Sequence, residues 1–407
     1  MDIEVGLVTP DGWICKDVET FQNGVGALFE PEQPVHAIVP KRMYAFRGSP
    51  YEIGYLMGMM STPDPSNSGT WEEISEDFNR IFKKFMEKHP EFRKFFHELV
   101  MDACEYVWDR EQERAHIPSW FDEELNGIVA GSNAAHPSTP VTRRDMIFPN
   151  YVAVLLMTWV LDDLNVNDRL IETARSLGHD FGMAKDLLGA ITHEDLSRLS
   201  SCLVPDCDGY AVKGEALASK KGVLLARNLQ AGSRSWAHSA SYIARLPSPD
   251  QSWSYRGQTT PLLPTLAIGF LGQVGALTCM NAEGVGSGTQ TLRSSAVAPD
   301  EVGIGGGLLC RYTVEVGRTT REGIEAAKRS VRGAPYIHIM GDRSGNLAAL
   351  EIVTSKPEVL ARNPYDYFQA NTKMYHALKE FIPSTTSNSG SKGAAATFLS
   401  SSPSPLS

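Results

Sequence analysis

The sequence predicts an α+β protein, and three observations carry that prediction. Up to about residue 200 the apolar side chains recur mainly at helical spacing. Beyond Pro205 the pattern switches to short apolar runs broken by glycine, several of which alternate with polar residues as strands do. From Ser384 to Ser407 the chain is rich in Ser, Gly, Ala, Pro and Thr, a composition that cannot bury enough apolar surface to offset the entropy of ordering. The expected organisation is therefore a mainly helical leading region (1–206), a strand-rich region (207–382) and a disordered tail (383–407).

Composition bounds the function. A chain of 407 residues suits one large or two medium domains. Its net charge of −10 argues against a nucleic-acid surface. Its six cysteines are scattered, with no CxxC pair and no zinc-spaced histidines, so no metal centre is expected. The opening residues show no basic segment leading into an apolar one, and no apolar run reaches the ~18 residues of a membrane span. The expectation is a cytoplasmic protein with free thiols and no membrane partner.

Taken in order, HAIVPKRMYAFR (36–47) reads as an early strand. Ser49 then Pro50 read as an N-cap and first turn of a helix in which Gly54 and Gly58 share one face, a pattern that permits close helix packing. Trp71, Ile74, Phe78, Ile81, Phe82 and Phe85 recur at helical spacing, as do Phe92, Phe95, Phe96, Leu99 and Val100; both stripes read as core. A helix over 123–131 carries the adjacent Glu123 and Glu124, which point different ways and are read as solvated. Another helix starts at Thr142 and runs into the apolar stretch from Tyr151.

At the midpoint, Pro205-Asp206-Cys207-Asp208-Gly209-Tyr210-Ala211-Val212 and Gly222 to Leu229 read as the two strands of a hairpin. Cys207 stands at its start and Arg227-Asn228 at its far end. A backbone cut between Asp206 and Cys207 would give Cys207 a free α-amine with an ordinary pKa of roughly 8, able to take the thiol proton unaided. Arg227, returned by the hairpin, is the cation that favours the thiolate. Cys202 is a rival nucleophile without the hairpin sequel.

Farther on, 269–285 reads as two glycine-punctuated strands with a turn from Asn281 to Gly284. Asn281 is either a turn former or an amide donor to a developing oxyanion, a contribution of about 3 kcal/mol. Gly303 to Gly307 reads as a loop rather than a phosphate cradle, and Leu308–Val316 and Thr320–Val331 read as helices. Pro335–Met340 and Leu347–Val353 form a second hairpin around an Asp342–Asn346 turn.

Four of these pieces together resemble a known family. They are Gly48-Ser49-Pro50-Tyr51-Glu52 with Gly54 and Gly58, the Cys207 to Leu229 hairpin, the 269–285 block ending Thr278-Cys279-Met280-Asn281, and Asn371-Thr372. The stretch resembles the cysteine N-terminal-nucleophile hydrolases, nearest the peptidase C45 or acyl-CoA:6-aminopenicillanate acyltransferase-like branch. That resemblance implies a four-layer αββα sandwich preceded by a helical region. It also implies a self-processing cysteine amidohydrolase or acyltransferase acting on a small acyl-amide or acyl-CoA substrate, with no cofactor and as a heterodimer of its cleaved fragments. By it, the catalytic set is Cys207, Arg227, Asn281 and Asn371. The chain departs from the family pattern at Asp206, where glycine is common, at Gln230, where an aspartate holds the amine, and at Thr372, where a histidine is usual. It also reaches the low-complexity tail where relatives continue through further strands. Those departures favour an alternative, a non-catalytic relative serving as a binding or scaffold protein. A third reading is a thiol enzyme using a histidine, for which His338 is the candidate.

Overall fold

The computed structural model describes residues 7, 9–33, 42–61, 93–160, 172–190, 206–217, 222–230, 240–292, 297–298 and 300–354, with a few positions between 80 and 90. The strand over 36–41, the helix over 71–79, Cys202, Asn371, Thr372 and the tail lie outside these residues.

The framework is one nine-stranded sheet. Its strands are β1 (Trp13–Phe21), β2 (Gly24–Pro31), β3 (Met43–Gly48), β6 (Ser241–Pro247), β9 (Thr265–Gly269), β10 (Thr278–Asn281), β11 (Val285–Thr291), β12 (Tyr336–Asp342) and β13 (Leu347–Ile352), side by side in that order. Every pairing is antiparallel except β3 with β6. The fold is thus mixed α and β with a large mixed sheet. The leading region expected to be mainly helical contributes three strands, and β3 joins it to β6 across the boundary at 206. Two hairpins stand apart from this sheet: β4 (Asp206–Lys213) with β5 (Val223–Gln230), and β7 (Ser252–Tyr255) with β8 (Gln258–Pro261).

Helices α1 (Pro50–Met60), α2 (Arg93–Glu113), α3 (Ser119–Ala135), α4 (Arg143–Val160), α5 (Phe181–Ala190), α6 (Gly306–Val316) and α7 (Thr320–Arg329) pack around these strands, and a 3-10 turn, Gly214–Ala216, follows β4. The start of α1 is capped as its sequence predicts. Ser49 Oγ accepts from the Glu52 amide at 3.2 Å, and Glu52 Oε2 accepts from the Ser49 amide at 2.7 Å. α1 crosses α3 at very short range because four glycines meet there. A β-carbon on Gly54 would sit 2.0 Å from Glu124 O, and one on Gly131 would sit 1.9 Å from Tyr55 O. Gly58 and Gly127 are as tightly opposed, at 2.2 Å from Ile128 O and Tyr51 O. The close packing expected of Gly54 and Gly58 is what α1 uses.

The expectation of a solvated Glu124 is overturned, because its helix face turns into the core. Glu124 is fully buried and forms a charge network with Arg245, Arg311 and Glu315. Arg245 Nη2 lies 2.9 Å from Glu124 Oε1, Arg311 Nη1 lies 2.7 Å from Glu124 Oε2, and Arg311 Nε lies 2.7 Å from Glu315 Oε1. Trp120 Nε1 donates to Glu315 Oε2 at 3.1 Å. Two acids against two bases leave no net charge in the core, the condition under which buried ions are tolerated. Burial pushes the Glu315 carboxyl above its ordinary value while Arg311 pulls it back.

Alternation along β12 separates the two faces of the large sheet. Tyr336 and Met340 meet the helices: β-carbons added to Gly306 and Gly323 would lie 2.4 Å from the Tyr336 ring and 2.5 Å from Met340 Cε. Gly341, one residue on, faces Val223 of β5, whose Cγ1 would lie 2.9 Å from its β-carbon. Helices α6 and α7 therefore cover one face, and the β4–β5 hairpin lies on the other. Among the described residues, no helix is long and apolar enough to cross a membrane.

Candidate active site

The hairpin predicted from sequence is present. Asp206 pairs with Gln230, Cys207 with Leu229 and Gly209 with Arg227. Gly214 and Gly222 flank its connection with φ of +55° and +80°, a region that glycine enters without penalty. Directly paired residues project to the same side of an antiparallel ribbon. Cys207, Gly209 and Arg227 therefore share the face turned towards the large sheet, whereas Tyr210 and Leu224 stand on the outer face, 43% and 47% exposed.

Glycines let the ribbon settle onto β11. A β-carbon on Gly288 would fall 3.2 Å from Arg227 Cδ, and one on Gly209 would fall 2.4 Å from Gln290 Nε2. In this layer Arg227 Nη2 donates to Cys207 Sγ at 2.7 Å, and Arg227 Nε donates to Thr289 O at 2.7 Å. One guanidinium thus holds the sulfur to the backbone of the sheet. Burial lowers the Arg227 pKa from its ordinary value, and charge on the Cys207 and Cys310 sulfurs works against that. Arginine starts so high that it stays a cation at neutral pH. A half-buried cation touching a sulfur favours the thiolate, the nucleophilic form. Cys207 is only 6% exposed in the uncut chain. Burial pushes Cys310, on the helix side, up to about 11, so it stays a protonated thiol at neutral pH.

The expectation for Asn281 is corrected. Its Nδ2 donates to Val314 O and Gly317 O, each at 2.7 Å, and its Oδ1 accepts from the Val285 amide at 2.9 Å. Both amide hydrogens are spent on carbonyls at the C-terminal end of α6, which have no partner within their own helix. Asn281 closes the β10–β11 turn and ties it to α6, and has no hydrogen left for an oxyanion. Asn371 and the Gln230 side chain lie outside the described residues.

Sequence reasoning missed Gln290. Its Nε2 is buried and has no hydrogen-bond partner among the described residues, and it faces β4 at Gly209, two residues along the strand from Cys207. The signal was present in VGSGTQT, where alternation puts Gln290 on the same face as Gly286 and Gly288. His338 stands on the opposite face of the sheet from Cys207, one residue from Ile339, whose Cδ1 meets Gly209. It is fully buried, and burial, then Arg227 and Arg332, lower its pKa to about 3. A neutral imidazole behind the sheet is not the partner that a thiol–histidine mechanism needs.

No protein-family model and no curated protein matches the chain.

Proposed function

We propose that the chain is a self-processing cysteine amidohydrolase or acyltransferase of the N-terminal-nucleophile type. The carrying observation is the 2.7 Å approach of Arg227 Nη2 to Cys207 Sγ across the hairpin register. The described strand begins one residue ahead of Cys207, so among the described pairings a cut before Cys207 removes only Asp206–Gln230 and leaves the rest of the ribbon in place. The freed amine then takes the thiol proton, and the thiolate attacks an amide or thioester carbonyl. Gln290 Nε2, buried and without a described partner, takes the oxyanion role expected of Asn281. Collapse of the tetrahedral adduct expels the amine or thiol with the proton, leaving an acyl-cysteine that water or a second amine resolves. The large sheet with helices on one face and a two-stranded ribbon on the other is compatible with three layers of an αββα sandwich. In this reading a second helical layer covers the exposed Tyr210 and Leu224.

Two observations favour a second reading, a non-catalytic binding relative: the burial of Cys207 and the commitment of Asn281 to structure. Intact-mass analysis of the purified chain separates the two. Fragments divided before Cys207, the second labelled by a thiol-directed acyl probe, support the enzyme. A single uncut and unlabelled chain supports the binding protein.

A further inference from the structure

On the helix side of the sheet, away from Cys207, α3, α6, α7 and the β7–β8 hairpin enclose a cavity of about 460 Å³. That volume falls within the range of small-molecule pockets. Its floor is aromatic. Trp120 and Tyr312 have ring centroids 6.0 Å apart, Tyr255 meets Tyr312 edge-on at 5.1 Å, and Trp253 stands 6.2 Å from Trp120 as a half-buried wall. The floor is held rigid by Trp120 Nε1 on the buried Glu315 and by Tyr255 Oη, which donates to His116 O at 2.8 Å.

The polar groups around this box are unequally occupied. Glu322 caps the region before α7, accepting from the Arg318 amide at 2.8 Å, and Glu325 is paired with Lys328 at 2.9 Å. Arg329 has a different environment. Its charge works against the rise that burial causes in the Tyr312 hydroxyl pKa, while its Nε is buried without a hydrogen-bond partner among the described residues. A buried guanidinium N–H left unmet beside an aromatic floor is the arrangement a carboxylate completes, since it accepts from two donors at once.

We infer that this cavity is a binding site for a small aromatic monocarboxylate, its ring lying on Trp120 and Trp253 and its carboxylate accepting from the Arg329 guanidinium and the Tyr312 hydroxyl. The site is independent of the Cys207 proposal: no residue is shared, and the large sheet lies between them.

Equilibrium dialysis of the full chain tests it, with naphthalene-2-carboxylate as the probe and the matching alcohol and trimethylammonium compounds as comparators. The carboxylate is expected to bind. Arg329→Gln should weaken it by about tenfold or more, as loss of a charged hydrogen bond does. Trp253→Ala, on a half-buried hairpin position, should weaken it too, and keeps the test open if the Arg329 variant fails to fold. Equal binding of the alcohol or the ammonium compound overturns the proposal, as does undiminished binding by either variant. Absence of carboxylate binding at millimolar concentration overturns it as well.

Discussion

Replacing His338 by phenylalanine should flatten the acid side of the stability profile. The ring is fully buried, and neither nitrogen has a hydrogen-bond partner among the described residues. Its pKa falls from an ordinary 6.5 to about 3, first through burial and then through Arg227 and Arg332. An unfolded chain binds a proton at this histidine below pH 6.5, whereas the folded chain does not until about pH 3. Stability is therefore complete above pH 6.5 and is lost as pH falls through that window. Each pH unit is worth about 1.4 kcal/mol, so the drop from pH 6.5 to 5 costs the native protein about 2 kcal/mol at this one residue. Phenylalanine removes that linkage. It also removes two unmet polar atoms, so at pH 7 the variant should be at least as stable as the native chain. Urea unfolding of both proteins at pH 7 and pH 5 measures the difference directly. Parallel loss of stability in the two proteins would refute the reasoning, because it would mean that His338 gains a proton as readily in the fold as out of it.

Three further outcomes follow from the same structure. Arg227→Gln should slow alkylation of Cys207 at neutral pH by about tenfold or more, read by peptide mapping, since the contacting cation is gone; an unchanged rate would disconnect the guanidinium from the sulfur. Asn281→Ala should cost about 2–4 kcal/mol in urea unfolding by stranding two carbonyls and one amide, and should leave the Cys207 alkylation rate unmoved; a stability-neutral variant with altered labelling would return Asn281 to the chemistry. Gly131→Ala should cost about 3 kcal/mol or more, because its β-carbon would lie 1.9 Å from Tyr55 O, while Gly182→Ala in α5, which meets only a flexible Asp180 oxygen at 3.2 Å, should be near neutral.

Local chemistry made much of this legible from sequence. Ser49-Pro50 announced a helix start, Gly54 and Gly58 a close crossing, and the turns at Asn281–Gly284 and Asp342–Asn346 two strand reversals. What stayed hidden depends on distant partners. Glu124 reads as a surface acid until Arg245 and Arg311 arrive, the first 121 residues away. Asn281 reads equally as turn former and oxyanion donor until Val314 and Gly317 offer it their carbonyls. The first strands stayed unread because β1 is largely polar and β2 opens Gly24-Val25-Gly26, and only the pairing of β2 to β3, and of β3 to β6, shows which side is core.

The glycines of β11 and β4 join these levels. A strand reading VGSGTQT is a poor strand by propensity, since glycine contributes no side chain and loses more entropy on ordering. Its justification lies in what settles on it. With Gly288 bare, the ribbon approaches until Arg227 crowds the space its side chain would have taken, while Leu225 comes into ordinary contact with Gly286. With Gly209 bare, the Gln290 amide reaches the ribbon's own backbone. Alanine at Gly209 would bring a β-carbon to 2.4 Å from Gln290 Nε2 and make that amide swing aside. Beside it, Arg227 spans from the Thr289 carbonyl to the Cys207 sulfur, 2.7 Å from each, because a single planar guanidinium offers donors in both directions. The local weakness of β11 and the close contact at Cys207 are the same structural fact.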